Sequence, residues 1–411
     1  MTEILQKVAA EFGTPCYVYD MDMLRSRAED TKESFANHFK LSYAAKANPN
    51  LTVLRRMKQS AELLDISSGG ELERAIRAGW GPAAISFTGP GKTDAELQAA
   101  VDARIGYVIV ESVGEAERLS AIAAREGMTQ PVLIRISPTE MPSGFGVSMS
   151  GRPTPFGIDE ENIEQALERI LQLPNISVRG FHIYAGTQCL KEDAIAENYE
   201  NCIRIFTHLC TKYDLRPDKL VFGSGLGIPY HEGEKALDLA SVSRRTNPLL
   251  EVLRKLDRFA STDLVLEAGR YLIGEAGYYL TRVLSIKESR GATICLCDGG
   301  MHQHLAASGH MGSVIPRNYG MFRVGNGSET TGDALNTYEL AGPLCTSIDR
   351  IGRKVKLPTI SVGDVIAIES SGAYGLTASP VHFISHELPK EIMIEKVDGR
   401  LDAVDISERW H

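Results

Sequence analysis

Between Phe39 and about Arg270 the chain alternates short apolar runs with longer stretches whose apolar residues recur every three or four positions. The apolar runs occupy residues 41–46, 63–67, 85–89, 107–110, 132–136, 178–185, 220–225 and 264–269. Runs this short, bounded by glycine and polar residues, read as buried strands. Helical spacing marks stretches between them, such as 70–78, 94–103, 113–125 and 160–171. Eight strand–helix units predict a (β/α)8 barrel, an α/β fold. An open doubly wound sheet shares the alternation but usually has fewer strands.

After Arg270 the pattern changes. Residues 278–285, 292–297, 339–342, 365–370 and 391–396 read as strands separated by turns, with no long helix between them. They predict a second domain, an all-β sandwich or barrel. The early run 15–20 is strand-like and suited to join it. The expected division is an N-terminal segment 1–30 lending that strand, a barrel over 31–275 and a C-terminal β domain over 276–411.

Composition narrows the function classes. With 411 residues, 43% of them apolar, the chain can bury a large core. A net charge of −9 offers no basic excess for a phosphate backbone, so no nucleic-acid partner is expected. The first residues lack a charged-then-apolar leader, and no apolar run nears the roughly 18 residues of a membrane span. A cytoplasmic protein with no membrane partner is expected. Seven scattered cysteines, an odd number, suit free thiols rather than a disulfide framework. Cys295 and Cys297 share one face of a strand with no second pair nearby, so core packing is expected there and no metal.

Candidate chemistry lies at the strand ends, where barrels of this kind carry their active sites. The ends read Lys46-Ala47-Asn48, Asp65 to Gly70, Arg135, His182 to Thr187, Gly223-Ser224-Gly225-Leu226-Gly227 and Glu267-Ala268-Gly269-Arg270. Singly, each has an ordinary reading. Lys46 fits a snorkelling lysine, the glycine loop a plain turn, and Glu267 with Arg270 a surface pair. A dinucleotide loop is excluded because Ile228 replaces the third glycine, and a P-loop at 89–93 because Ser86 replaces its first. Together they supply an amine for an aldehyde, amides for a phosphate and a carboxylate for a pyridine nitrogen. Pyridoxal 5′-phosphate (PLP) needs that set. Burial at a strand end would also favour the neutral, reactive form of Lys46.

These motifs resemble the fold-type III PLP decarboxylases, the group of diaminopimelate, ornithine and arginine decarboxylases. The resemblance runs from Thr14-Pro15 to Pro389. It rests on Tyr43 to Asn48, Asp65 to Glu71, Gly223 to Tyr230, Glu267 to Arg270, Gly342-Pro343-Leu344-Cys345-Thr346-Ser347-Ile348-Asp349 and Gly372-Ala373-Tyr374-Gly375. It implies a PLP-binding barrel of the alanine-racemase type in which Lys46 captures the cofactor. Glu267 would face the pyridine nitrogen, with Arg135 nearby, and Asp65 would belong to the cofactor site. Thr187, Gly223, Gly225, Gly227, Gly269, Arg270 and Tyr374 would hold the cofactor and its phosphate. Cys345 and Tyr374 would come from the other subunit of a homodimer, and Cys345 would deliver the proton that replaces carbon dioxide.

Two departures from the family pattern bear on the substrate. Tyr184 stands where the family places a histidine stacked on the cofactor. Thr346 stands where the diamino-acid enzymes place an acid for the substrate's distal ammonium. Both departures, with Asp298 to His302 and Ser379-Pro380, resemble the subgroup of carrier-protein-linked glutamate decarboxylases of the butirosin type. That resemblance implies a substrate conjugated to an acyl or peptidyl carrier protein. The glycine-rich stretch 143–157 is then either a lid over the carrier's arm or a surface loop. His302 and His304 either line the substrate end or are structural. In the alternative, Asp349 or another acid replaces the missing charge and the substrate is a free diamino acid. A racemase or a non-catalytic PLP carrier fits less well, because of Glu267, Cys345 and the second domain.

Overall fold

The computed structural model describes residues 1–310, 317–325 and 335–408. The chain divides into two compact units. One comprises Arg25–Gly227 and Ala236–Tyr271; the other comprises Met1–Leu24, Ile228–Lys235 and Leu272–His411.

The first unit is a closed barrel of parallel strands. In chain order these are β1 (Lys40–Ala44), β2 (Leu63–Ile66), β3 (Ile85–Phe87), β4 (Tyr107–Val110), β5 (Gln130–Ser137), β6 (Ile176–Ile183), β7 (Lys219–Gly223) and β8 (Asp263–Ala268). Each pairs with the next, and β8 returns to β1, with Glu267 opposite Ser42. The strands are apolar on both faces because helices cover the outside and side chains fill the inside. Ile109, Leu133, Val221 and Val265 form one buried layer of that filling.

The helices start where capping residues dictate. Ser68, Thr93 and Ser112 each accept an amide hydrogen bond from the first turn of Gly69–Arg77, Asp94–Asp102 and Val113–Arg125. All eight predicted strands are present. The expected strand 41–46 stops at Ala44, however, and Lys46 sits on a single 3-10 turn, Ala45–Ala47. That turn lifts the lysine off the strand at the barrel's C-terminal rim.

The stretch 143–157 is not one irregular loop. Phe145–Ser148 forms a strand antiparallel to Gly186–Cys189, a two-stranded ribbon.

The second unit is mostly sheet. Cys16–Asp20 lies between Gly277–Ser289, antiparallel, and Lys390–Val397, parallel. Met321–Val324, Arg350–Leu357 and Arg400–Asp405 are strands that the apolar pattern did not disclose. Each is short or carries several charged residues, so its alternation is weak. The helix Thr2–Glu11 buries Ile4, Leu5, Val8 and Ala9 against Cys16, Val18, Leu280 and Ile392.

Candidate active site

The polar strand ends of the barrel converge. Lys46 Nζ lies 3.8 Å from Asp65 Oδ2 at the end of β2 and 3.9 Å from Glu267 Oε1 on β8. One ammonium group thus stands between two buried carboxylates. Asp65 Oδ1 accepts hydrogen bonds from Ser86 and Thr88, while its buried Oδ2 has no hydrogen-bond partner. Glu267 Oε2 lies 3.0 Å from His182 Nε2 on β6.

The two carboxyls are pushed apart. Burial, reinforced by the neighbouring Glu267 charge, raises Asp65 well above the usual carboxylate range. Burial would raise Glu267 too, but the His182 hydrogen bond, with Lys46 and Arg135 behind it, outweighs burial and holds Glu267 low. Near neutral pH the charge therefore rests on Glu267 and the proton on Asp65.

Arg135 on β5 is not aimed at the centre as a lone cation. Its Nη1 lies 3.1 Å from both carboxylate oxygens of Glu111, and its guanidinium covers the Phe156 ring at 4.8 Å. Glu111 also accepts from the Gly89 and Gly157 amides, at 2.8 and 2.9 Å. It ties three strand ends together and so fixes Arg135. Sequence reading passed over Glu111, although a charge directly after the apolar run Tyr107–Val110 was a usable signal. Lys92 of the discarded P-loop-like stretch has its own structural task. It is buried and donates to Glu115 and to the Gly89 and Ile109 carbonyls.

Beside Lys46 the Tyr184 ring lies 5.7 Å from Nζ. A side chain on Gly223 would strike that ring, with Tyr184 Cδ2 only 2.5 Å from the added carbon. Gly225 has φ +66°, which favours glycine, and its added carbon would fall 2.6 Å from Phe145 Cε1. Gly227 and Gly269 are just as crowded, by the Cys189 backbone and by Ala47. In the loop, Ser224 N–H goes to Glu267 C=O and Gly227 N–H to Cys189 C=O, which leaves the Gly225 and Leu226 amides for a ligand. Thr187 lies on the adjoining ribbon, and Arg270 opens the short helix after β8. An amine, an ionised carboxylate, an aromatic face and a side-chain-free amide cradle fit PLP.

The remaining candidates belong to the sheet unit. Cys345 is exposed, and Thr346 follows it, half-buried. Asp349 is buried, and its two oxygens accept the Met301 and Leu344 amides at 2.7 and 2.8 Å. It clamps the loop that carries Cys345. His304 is structural: Nδ1 accepts from Ala307 N–H, and Nε2–H donates to Ser371 Oγ at 2.9 Å. His302 is also buried, neither ring nitrogen has a hydrogen-bond partner, and burial lowers its pKa to about 4. Tyr374 has φ +54° beside the Gly372 turn. Among the described residues no group of three or more acids, histidines and cysteines could hold a metal ion, and no helix is long and apolar enough to cross a membrane.

Comparison with known proteins agrees with this geometry. Residues 21–274 match the family model described as pyridoxal-dependent decarboxylase, pyridoxal binding domain. The chain is 34% identical to the L-glutamyl-[BtrI acyl-carrier protein] decarboxylase of Niallia circulans, over 93% of this chain and 89% of that one. It is 29% identical to the 2-[(L-alanin-3-ylcarbamoyl)methyl]-2-hydroxybutanedioate decarboxylase of Staphylococcus aureus, over 95% of this chain and 97% of that one. Among solved structures, the diaminopimelate decarboxylase of Helicobacter pylori complexed with L-lysine superposes with a TM-score of 0.84 at 25% identity, covering 97% of this chain and 95% of that one.

Proposed function

We propose, for a chain that belongs to the pyridoxal-dependent decarboxylases and is a PLP-dependent carboxy-lyase, that its substrate is an amino acid whose distal end is neutralised by conjugation, as on a carrier protein. The observation that carries this reading is the state of Asp349. It is buried, and each of its oxygens already accepts a backbone amide, which favours a structural task over the capture of a distal ammonium. Thr346 brings only a hydroxyl. Burying an ammonium without a partner costs several kcal/mol, roughly 3 kcal/mol or 100-fold in binding. A thioester or amide end avoids that penalty. The Niallia circulans and Staphylococcus aureus relatives bear names of conjugated substrates, which supports the same reading.

In this reading Lys46 holds the cofactor through its ε-amine. Thr187, Gly223, Gly225, Gly227, Gly269 and Arg270 hold its phosphate, and Tyr184 lies along one face. Bound PLP supplies an electron-poor ring that takes up the electron pair left when carbon dioxide departs. Glu267 faces the ring nitrogen and keeps a proton there. Arg135 sets the electrostatics around Glu267, and Asp65, the carboxyl favoured to stay protonated, adds no second negative charge. His302 borders the substrate end. We place the enzyme in the cytoplasm and divide it into a barrel, 31–275, and a β domain, 276–411, that takes its extra strand from segment 1–30.

The test compares carbon-dioxide release from free L-lysine, L-ornithine, diaminopimelate and L-glutamate with release from carrier- or pantetheine-linked amino acids. We expect kcat/KM for a linked substrate to exceed that for the free diamino acids by about 100-fold. Efficient turnover of a free diamino acid, with no gain on linkage, would overturn the conjugated-substrate reading and leave the decarboxylase standing.

The exposed position of Cys345 supports a site completed by a second copy of the chain, to which Cys345 gives its Sγ proton and Tyr374 a phosphate contact. Ile348, Phe383, Ile384 and Leu388 on the same unit are exposed apolar residues suited to such an interface. Mixing inactive Lys46→Ala and Cys345→Ala subunits under exchange conditions should restore about a quarter of wild-type activity. Half of a random mixture is heterodimer, and each heterodimer has one intact site. No recovery despite proven exchange would mean that both residues act within one chain.

A further inference from the structure

His182 is among the most deeply buried polar groups of the barrel, with a fully covered side chain. It sits on β6 opposite Arg135 on β5. Its Nε2 lies 3.0 Å from Glu267 Oε2, and its Nδ1 is buried with no hydrogen-bond partner.

Only one proton placement satisfies these contacts. A cationic imidazole would bury a proton on Nδ1 with nothing to accept it, beside the Arg135 guanidinium. Burial, the largest influence, acts against that cation and, with Arg135, outweighs the pull of Glu267 towards it. A neutral imidazole with its proton on Nδ1 would point a lone pair at an anionic carboxylate. The remaining form carries the proton on Nε2, donates it to Glu267, and leaves Nδ1 as a bare lone pair.

The Glu267 oxygens then have different tasks. Oε2 is occupied by His182, and Oε1 is the atom that faces Lys46 at 3.9 Å. Behind His182, Glu111 grips Arg135 through both of its oxygens and so fixes the guanidinium that adds to burial in disfavouring a cationic His182.

We infer that His182 is a positioning residue for the decarboxylation: neutral imidazole Nε2–H holds Glu267 by one oxygen, keeps it ionised, and presents the other oxygen to the cofactor's ring nitrogen. This rests on the reading that Glu267 faces that nitrogen. The tautomer itself follows from one hydrogen bond and one buried nitrogen without a partner.

The test has two arms. In the first, nitrogen-15 spectra of selectively histidine-labelled protein, with and without PLP, report the tautomer of His182 among the ten histidines. His182→Gln assigns the resonance. A neutral ring protonated at Nε2 between pH 6 and 8 is expected; a charged ring or the Nδ1–H form would overturn the inference, whatever the activity. In the second, His182→Leu removes the donor, while His182→Gln keeps an N–H at the end of its side chain. The leucine variant should bind PLP, lose about 10- to 100-fold in kcat with little change in KM, and show an altered pH dependence of cofactor absorbance. The glutamine variant should recover most of the loss. A folded leucine variant with wild-type kcat and an unchanged absorbance profile would sink the positioning role. Should the leucine variant not fold, the spectra of the native protein decide. If Glu267→Gln is fully active, the fault lies with the Glu267 reading; if only the histidine variants are unaffected, it lies with this inference.

Discussion

Lys46→Ala is expected to lower carbon-dioxide release by on the order of 10,000-fold or more, because in the proposed function it removes the amine that captures the cofactor covalently. The geometry makes the loss specific. Lys46 Nζ stands 3.8 and 3.9 Å from Asp65 and Glu267, so the side chain is held at the centre of the barrel mouth. Its removal leaves two buried carboxyls without their shared cation. Asp65, already pushed up by burial and by Glu267, loses the charge that opposed that rise and holds its proton more firmly. The barrel should therefore survive, since Asp65 stays neutral and Glu267 keeps its hydrogen bond from His182. Borohydride reduction of the wild-type enzyme should fix the cofactor on the peptide that contains Lys46, and the variant should take up no label. A label on another lysine, or an active Lys46→Ala enzyme, would refute the assignment.

The second large effect concerns Glu267. Glu267→Gln should retain PLP and lose about 100-fold or more in kcat. The side chain is nearly isosteric, and its carbonyl oxygen can still accept from His182, so the fold has little reason to change. What it cannot do is stabilise a proton on the ring nitrogen. With the oxygen turned to His182, the amide NH2 would, in the proposed function, face the ring and oppose that proton. The electron sink weakens while the phosphate contacts, the Lys46 amine and the Tyr184 face remain. Cofactor content and kcat, measured on the same preparation, separate the two effects. Near-normal turnover would show that another group maintains the charge on the ring.

Glu111, His182 and Asp349 show where reading along the chain stops. Each has an acid's or imidazole's range of tasks until its neighbours are known. Those neighbours are distant in sequence: Glu111 meets Arg135 and Gly157, His182 meets Glu267, and Asp349 meets Met301 and Leu344. The sequence offers Asp349 as a replacement for the acid missing at Thr346, because a sequence records that a carboxylate exists and not which amides it accepts. Within this β unit it is a clamp on the Cys345 loop.

The sequence by itself determined the barrel and the membership of its mouth. Apolar runs of strand length alternating with amphipathic helical stretches admit few layered arrangements, and in a barrel every strand end arrives at one rim. Lys46, Asp65, Glu267 and the Gly223 to Gly227 loop were therefore legible as one set. The tertiary structure alone decided how charge and protons are shared within that set. It lifted Lys46 onto a 3-10 turn, turned Arg135 towards Glu111, gave Glu267 to His182, and paired 145–148 as a ribbon with 186–189. Periodicity reports which face a residue buries. Protonation and hydrogen bonding depend on ångström-scale separations between residues tens to hundreds of positions apart, and only the closed barrel fixes those.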